Sequence, residues 1–302
     1  MIKDEKFWAY AALISVCFFW GTTYFGIRIA VRDLPPFFLV GTRHLIAGSL
    51  FCIYFMGIKK QKLPPKSELI KMLISSFFLI FGANALVSFA EKTIPSGLTA
   101  LICSFLPFYI LIINWISGNS EKTNRLSTIG LLLGITGMFV IFYDSLADIL
   151  NGTYIIGIVL ILIANFSWAF GTIFSKKSKI ETDPLFSSGL QMLMMGTILT
   201  VVSFMIGDFQ EVKFTSDGII AFSYLVIFGS VVGFGSFTYA NAKLPAAITS
   251  IYAYINPIVA VILGTLFLSE EISIYTLIGM VITLVGVYLV NKGHKKLSLQ
   301  KS

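Results

Sequence analysis

Hydrophobic residues occur along the chain in ten long runs, each separated from the next by turn-forming or charged residues. The runs lie at about 8–30, 36–57, 70–90, 96–117, 126–143, 154–175, 185–206, 218–240, 246–267 and 273–291. Roughly 20 apolar residues cross a bilayer core as a helix, and the backbone there must satisfy its own hydrogen bonds. We therefore predict an all-α integral membrane protein with ten transmembrane helices, numbered here as segments 1 to 10.

The second half of the chain repeats the first at an offset of 148 to 150 residues. Trp20 falls on Trp168, and residues 90–107 match residues 240–257. The matched positions in that stretch include Ala90, Pro95, Thr99 and Pro107, which fall on Ala240, Pro245, Thr249 and Pro257. The repetition indicates a tandem duplication. We predict five-helix repeats at 8–143 and 154–291, followed by a basic cytoplasmic tail at 292–302.

The number of segments in each half decides how the halves are oriented. Because five is odd, the two repeats must cross the membrane in opposite directions. Inverted repeats of this kind are typical of secondary transporters, which bind substrate near the midplane where the repeats meet. The pattern therefore favours an alternating-access carrier; the alternative is a duplicated membrane protein that transports nothing.

Composition and charge agree with a membrane location. The chain is 56% hydrophobic and 12% charged, whereas soluble domains are about 25% charged. With the N-terminus inside, 17 of the 22 Lys and Arg residues lie on the inner side and four on the outer side. This bias predicts a multi-pass protein of the inner (plasma) membrane with both termini in the cytoplasm. It also explains the net charge of +7 without nucleic acid, so we expect the lipid bilayer and a small-molecule substrate as partners.

Prolines and polar residues inside the apolar segments are the first candidates for function. Pro107 and Pro257 interrupt segments 4 and 9, and each predicts either a hinge or a simple packing kink. Asn256, beside Pro257, is the strongest polar candidate for substrate contact. The spacing places it on one helix face with Tyr252. Asn84 and Ser88 are further candidates, although such side chains also join helices by hydrogen bonds.

Aromatic residues near the centres of the segments predict an aromatic interior. Trp and Tyr normally gather at the two membrane interfaces, whereas Trp20 lies near the middle of segment 1. An aromatic lining would suit amphipathic or aromatic solutes and cations, and ordinary packing is the alternative. The residues concerned are Trp20, Tyr24, Trp168, Tyr239 and Tyr252.

Arg43 is the intramembrane charge of segment 2. It could attract an anionic group of the substrate, but we interpret it as a structural clamp between helices. All 15 Asp and Glu residues lie in loops or at helix ends. Glu91 is the acid nearest the membrane interior, and its neighbour Lys92 favours a solvated surface pair over a role in proton coupling.

Other classes of function lack their characteristic residues. The three cysteines and two histidines show no metal-ligand spacing, and no phosphate-binding motif is present. We therefore expect no metal, no cofactor and no enzymatic activity. Glycines at helix-packing spacing predict close helix contacts, with the face of a homodimer as the alternative. They include Gly130, Gly134, Gly137, Gly229, Gly233, Gly279 and Gly286.

Several motifs together resemble the EamA-type carriers of the drug/metabolite transporter superfamily. They are Phe19-Trp20-Gly21, the position of Arg43, the repeated proline-threonine pattern at 90–107 and 240–257, and the run from Asn256 to Gly286. The resemblance implies a ten-helix exporter or facilitator of small metabolites, often amino acids or their analogues. It also implies a central cavity between segments 1, 3, 4, 6, 8 and 9. The residues to which this points are Trp20, Tyr24, Asn84, Ser88, Trp168, Tyr239, Tyr252 and Asn256.

The predicted function is movement of small metabolites of the amino acid type across the inner membrane. Efflux of drugs or aromatic compounds is the alternative. Distantly related four-helix exporters couple to protons through a glutamate in their first helix. This chain has no acid between Glu5 and Asp33, so that scheme does not transfer to it.

Overall fold

The computed structural model describes residues 2–116, 125–144, 152, 154–244, 246–249 and 252–299. Pro245 and the last three residues of the predicted tail lie outside this part. The first repeat contains α1 (Ile2–Ala30), α2 (Pro36–Ile58), α3 (Lys66–Ala90), α4a (Ser96–Cys103), α4b (Leu106–Ile116) and α5 (Arg125–Asp144). The second contains α6 (Ile155–Lys177), α7 (Pro184–Met205), α8 (Ser216–Lys243), α9a (Ala246–Thr249), α9b (Tyr252–Leu268) and α10 (Ile274–Leu299).

Six of these helices, α1 to α3 and α6 to α8, are long and apolar enough to span a membrane, and shorter apolar helices occupy the other four segments. No strand occurs in the described ranges, and the predicted all-α fold is confirmed. One boundary differs: α10 continues to Leu299, so the first part of the predicted tail extends the last helix. Lys and Leu in this stretch are good helix formers.

Helices α2 and α7 occupy equivalent positions in the two repeats and pack against each other. At their glycines the two backbones come so close that no side chain fits between them, and we call this contact a seam. A Cβ added to Gly48 would lie 2.8 Å from the carbonyl oxygen of Gly189 and 2.7 Å from Cα of Leu193. A Cβ added to Gly196 would lie 2.8 Å from Cα of Leu45. Gly48 and Gly196 are equivalent, as are Leu45 and Leu193, so the contact is reciprocal. Such reciprocity is the mark of a two-fold axis.

A second reciprocal seam joins α5 and α10. A Cβ on Gly137 would lie 2.8 Å from the carbonyl oxygen of Gly279, and one on Gly286 would lie 2.7 Å from that of Gly130. In this seam the later residue of α10, Gly286, meets the earlier residue of α5, Gly130, and Gly279 meets Gly137. The order is reversed in the same way between α2 and α7, so both pairs of helices are antiparallel. Antiparallel packing of equivalent helices shows that the repeats are inverted. The glycines predicted to allow close helix contacts therefore make such contacts between helices of the same chain.

Helices α3 and α8 share a distortion that the hydrophobic pattern does not reveal. Each is wound as a π-helix in its middle, at Phe77–Ala85 and at Leu225–Phe234. The two stretches begin at equivalent positions of the repeats. Insertions of this kind widen the helix and are frequent at functional sites. Both stretches border the cavity described below.

The fourth segment is two helices that meet at a break before Pro107. Phe105 donates its backbone N–H to the oxygen of Ile102 at 3.2 Å, a tighter turn than an α-helix makes. Pro107 then occupies the first turn of α4b, where its missing N–H does least harm. Pro257, by contrast, lies inside α9b. The predicted kink in segment 4 is therefore a complete break.

Candidate functional site

A cavity of about 100 Å³ lies where the two repeats meet. A single water needs about 10–15 Å³ measured in this way, so the space holds several waters or a small solute. Seven helices contribute to its wall: Trp20, Thr23, Tyr24 and Ile27 of α1, Arg43 and His44 of α2, Ala83, Asn84 and Val87 of α3, Cys103 and Leu106 of α4, Ala164, Asn165 and Trp168 of α6, Gly229 and Phe234 of α8, and Tyr252 and Asn256 of α9.

A larger void, of about 420 Å³, is a different kind of space. It lies between α3 and α7 and is lined by Leu, Ile, Phe, Met and Val side chains alone. Three of its nine lining residues, Ile74, Phe77 and Ile198, are exposed apolar residues. In a bilayer, lipid chains would fill this apolar space between the two helices. The smaller cavity is therefore the candidate site, because polar groups from many helices converge there.

Aromatic rings close one end of the cavity. Trp20 and Trp168 meet edge to face with ring centroids 5.1 Å apart, and Phe237 packs against both at 5.1 and 5.0 Å. The indole N–H of Trp168 donates to the hydroxyl of Tyr252 at 3.0 Å, and that of Trp20 donates to the carbonyl of Gly229 at 3.2 Å. With both indole N–H groups bonded, the two tryptophan rings present fixed faces to the cavity.

Arg43 and Asn84 form a polar wall of the cavity. Nη2 of Arg43 donates to Oδ1 of Asn84 at 2.6 Å, and Nδ2 of Asn84 donates to the carbonyl of Leu79 at 2.9 Å. That carbonyl lies five residues earlier, and both Leu79 and Asn84 are within the π-wound stretch of α3. Arg43 is buried, and its Nε has no partner among the described residues. One donor of a buried cation is thus left unpaired among the described residues.

Two asparagines connect the cavity to the interrupted helices. Nδ2 of Asn165 donates to the carbonyl of Ile102 at 2.8 Å, at the break in α4. The surrounding acceptors assign the orientation of the Asn256 amide: with its nitrogen facing them, it donates to the carbonyls of Cys17 at 3.0 Å and Tyr252 at 3.1 Å. Both of its N–H groups are then used, so the amide oxygen is the atom of Asn256 left for a ligand.

The residues singled out from the sequence divide into two groups in the structure. The cavity wall includes six of them: Trp20, Tyr24, Asn84, Trp168, Tyr252 and Asn256. Ser88 is fully buried, and its hydroxyl donates to the backbone of Asn84. Tyr239 packs against the apolar cluster that contains Phe237 and Leu244. Neither Ser88 nor Tyr239 lines the cavity.

The prediction for Glu91 was wrong. Its side chain is 0% exposed, while the neighbouring Lys92 is exposed. The turn after α3 directs the two side chains to opposite sides, which adjacency in sequence cannot show. His44, also missed as a cavity residue, is buried and pairs its Nδ1 with the carbonyl of Val40 at 2.8 Å. In the described ranges, no group of three or more His, Cys, Asp or Glu is placed to hold a metal.

Glu270 fastens the second repeat to the first at the start of α4a. Oε1 accepts from the backbone N–H and the hydroxyl of Ser96, both at 2.8 Å, and Oε2 accepts from the N–H of Gly97 at 3.1 Å. Ser269, the residue after α9b, has a left-handed conformation (φ 54°), and the N–H of Glu270 donates to the carbonyl of Gly264. A helix N-terminus carries free N–H groups and partial positive charge, so it attracts this carboxylate.

Two inverted helical repeats enclosing a polar and aromatic cavity define a multi-pass membrane transporter. The EamA-like transporter family matches the chain twice, at residues 7–143 and 155–292. The chain belongs to this family, and so to the drug/metabolite transporter superfamily. The family consists of transporters and not enzymes.

Individual relatives agree with this assignment. The chain is 30% identical over 285 residues to the uncharacterized inner membrane transporter YedA of Escherichia coli (strain K12), covering 94% of this chain and 90% of that protein. It is 25% identical to the uncharacterized transporter YoaV of Bacillus subtilis (strain 168), covering 92% and 94%. A solved crystal structure that is 14% identical matches 95% of this chain and 97% of its own, with a TM-score of 0.66. That likeness shows the fold.

Proposed function

We propose that the chain is an alternating-access carrier for small zwitterionic metabolites of the amino acid type, which it exports or equilibrates across the inner membrane. The observation that carries the proposal is the composition of the cavity wall. A buried arginine with a free donor lies on one side, and the faces of Trp20, Trp168 and Tyr252 lie on another. The arginine suits a carboxylate, and the aromatic faces suit an ammonium group or an apolar side chain.

The size of the cavity supports small substrates over large ones. About 100 Å³ accommodates a compact solute, whereas pockets for drug-sized ligands measure about 300–1,000 Å³. Efflux of aromatic compounds stays the second candidate because the rings of Trp20, Trp168 and Phe237 line or support one end of the site. Substrates of that class would need the cavity to widen.

The inverted repeats supply the mechanism of movement. Each repeat contributes one broken or kinked helix, at Pro107 and Pro257, to the cavity region. If the repeats exchange conformations, the site becomes accessible first from one side and then from the other. The seams between α2 and α7 and between α5 and α10 would stay packed during this exchange. By the excess of Lys and Arg, both termini face the cytoplasm.

Counterflow in proteoliposomes tests the proposal. Vesicles loaded with a mixture of unlabelled amino acids are placed in the same mixture carrying label, and we expect saturable uptake that Asn256→Ala reduces at least tenfold. Ser203→Ala is the matched control, because Ser203 is equally buried but bonds Asp208 outside the cavity. Absence of uptake by the parent protein, with uptake of aromatic drugs instead, would favour the second candidate.

A further inference from the structure

Glu91 is a buried acid without a partner. Its side chain is 0% exposed, and neither Oε1 nor Oε2 has a hydrogen-bond donor among the described residues. Arg28 donates to the main-chain carbonyl of Glu91 and not to its carboxyl group. An ionised carboxylate in such a place is strongly disfavoured, and the group normally becomes neutral by binding a proton.

The charged and titratable groups around Glu91 do not reverse this preference. Arg28 of α1 and Arg43 of α2 favour the ionised form, but Arg43 is hydrogen-bonded to Asn84. Glu270, on the loop after α9b, opposes ionisation of Glu91. Burial outweighs the two arginines and raises the pKa of the Glu91 carboxyl well above its usual range.

Glu91 lies next to the transport cavity. Its backbone N–H donates to the carbonyl of Val87, one helical turn earlier, at 2.9 Å, and Val87 lines the cavity. Arg43, one of the two arginines whose charge acts on the Glu91 carboxyl, also lines it. A change in the charge of Glu91 therefore acts on the wall that holds the substrate.

The equivalent position in the second repeat indicates how Glu91 could become accessible to water. Glu91 is equivalent to Asn241, at an offset of 150 residues. Asn241 is also buried and leaves its side-chain oxygen unpaired, but it lines a cavity of about 210 Å³ together with Lys176 and Lys179. The same position is thus sealed in one repeat and adjoins a cavity in the other. If the repeats exchange conformations, as proposed for the carrier, Glu91 takes the surroundings that Asn241 has here and adjoins a cavity.

We propose that Glu91 is a proton-binding site that couples the alternating movement of the carrier to a proton. A proton from water forms an O–H bond with the carboxylate and neutralises it, and the neutral group can then be sealed beside the cavity. When this end of the molecule opens, the O–H bond breaks and the proton returns to water. Asn241 cannot ionise, so the coupling belongs to one repeat only. The proposal rests on the carrier function proposed above.

The first test observes the proton directly. In purified protein, infrared spectroscopy should show the C=O stretch of a protonated carboxyl at neutral pH, and Glu91→Gln should remove that band. Lys92→Gln is the matched control, since it removes a charge at the exposed neighbouring position and should retain the band. Absence of the band in the parent protein, or its persistence in Glu91→Gln, would overturn the proposal.

The second test observes coupling, in proteoliposomes supplied with labelled amino acids and an imposed pH gradient. The parent protein and Lys92→Gln should accumulate label above the level reached without a gradient. Glu91→Gln should keep counterflow but lose this accumulation. Glu91→Asn, which reproduces the residue of the other repeat, is the second variant if the glutamine form does not fold. Counterflow unaffected by the gradient in the parent protein would overturn coupling and leave the carrier function intact. No flux at all would overturn the carrier function and the coupling that rests on it.

Discussion

The indole rings of Trp20 and Trp168 touch edge to face across the junction of the two repeats, with their centroids 5.1 Å apart. The two residues are equivalent, yet their N–H groups have different acceptors. Trp20 bonds the main chain of Gly229, and Trp168 bonds the hydroxyl of Tyr252. The ring of Trp20 is therefore held by the backbone, and that of Trp168 by a side chain that mutation can remove.

The bond between Trp168 and Tyr252 should couple these residues energetically. Tyr252→Phe leaves the indole N–H without an acceptor, and Trp168→Phe leaves the hydroxyl without this donor. A buried hydrogen bond contributes about 0.5–1.5 kcal/mol, so each substitution should lower thermal stability. The double variant should be no less stable than the worse single one. A double-mutant cycle of melting temperatures measures this; strictly additive losses would show that the two residues act independently.

Arg43→Gln should weaken transport of substrates that carry a carboxylate. Hydrogen bonds to charged groups contribute about 1.5–3 kcal/mol, so KM should rise roughly tenfold or more. The control is chemical: the amide of the same amino acid lacks the carboxylate charge, and competition by it should change little. Equal loss for the acid and the amide would support the structural clamp that the sequence favoured.

Gly48→Ala should destabilise the protein by about 1–3 kcal/mol, the usual effect of overpacking. The added methyl group would meet the backbone of α7 at Leu193 and Gly189, which cannot rotate away. Gly57 lies on the same helix with nothing within 4 Å of an added Cβ, so Gly57→Ala is the control. The fraction of protein that stays monodisperse after heating in detergent compares them. Similar losses for both variants would contradict the tight seam.

Glu270→Ala should lower stability by about 0.5–2 kcal/mol, the range for loss of a helix cap. Three donors at Ser96 and Gly97 lose their acceptor in this variant. Glu271→Ala removes the adjacent, exposed carboxylate and should have little effect. If the two variants melt together, the contact of Glu270 with α4a contributes nothing measurable.

Stability should also depend on pH through Glu91. Since burial raises the pKa of this carboxyl in the folded protein, the folded state holds a proton that the unfolded chain releases above its ordinary pKa of about 4.3. The contribution to stability is therefore complete at acidic pH and declines as pH rises. Melting temperatures between about pH 5 and pH 8 should fall less steeply for Glu91→Gln than for the parent protein or Lys92→Gln. Parallel slopes for all three would count against a neutral Glu91.

Hydrophobic periodicity and internal repetition were enough to predict the helices and their inverted arrangement. Both follow from long-range regularities: apolar length decides what spans a bilayer, and an odd helix number decides orientation. The equivalent glycines Gly48 and Gly196 also proved to be packing positions, since each meets the backbone of the opposite helix, at Leu193 and Leu45. A two-fold axis brings equivalent positions of its central helices together.

The finer features depend on local geometry that the sequence does not display. The π-wound stretches of α3 and α8 change which residues face the cavity, and they turn the amide of Asn84 back to Leu79. Ser88, one turn further on, donates its hydroxyl to the carbonyl of Asn84 and does not line the cavity. Glu91 and Lys92 differ in exposure because of a single turn after α3. Charge and polarity identify such residues as candidates, but only the path of the backbone shows which way each points.

The two glycine seams have a consequence for how the protein is assembled. A single repeat made alone would present the bare faces of two helices to lipid, and only an inverted copy offers surfaces that fit them. The covalent link between the halves then ensures that they are made in equal numbers, while the seams themselves provide the recognition. Two separately translated halves should find each other in the membrane, as the subunits of an antiparallel dimer would.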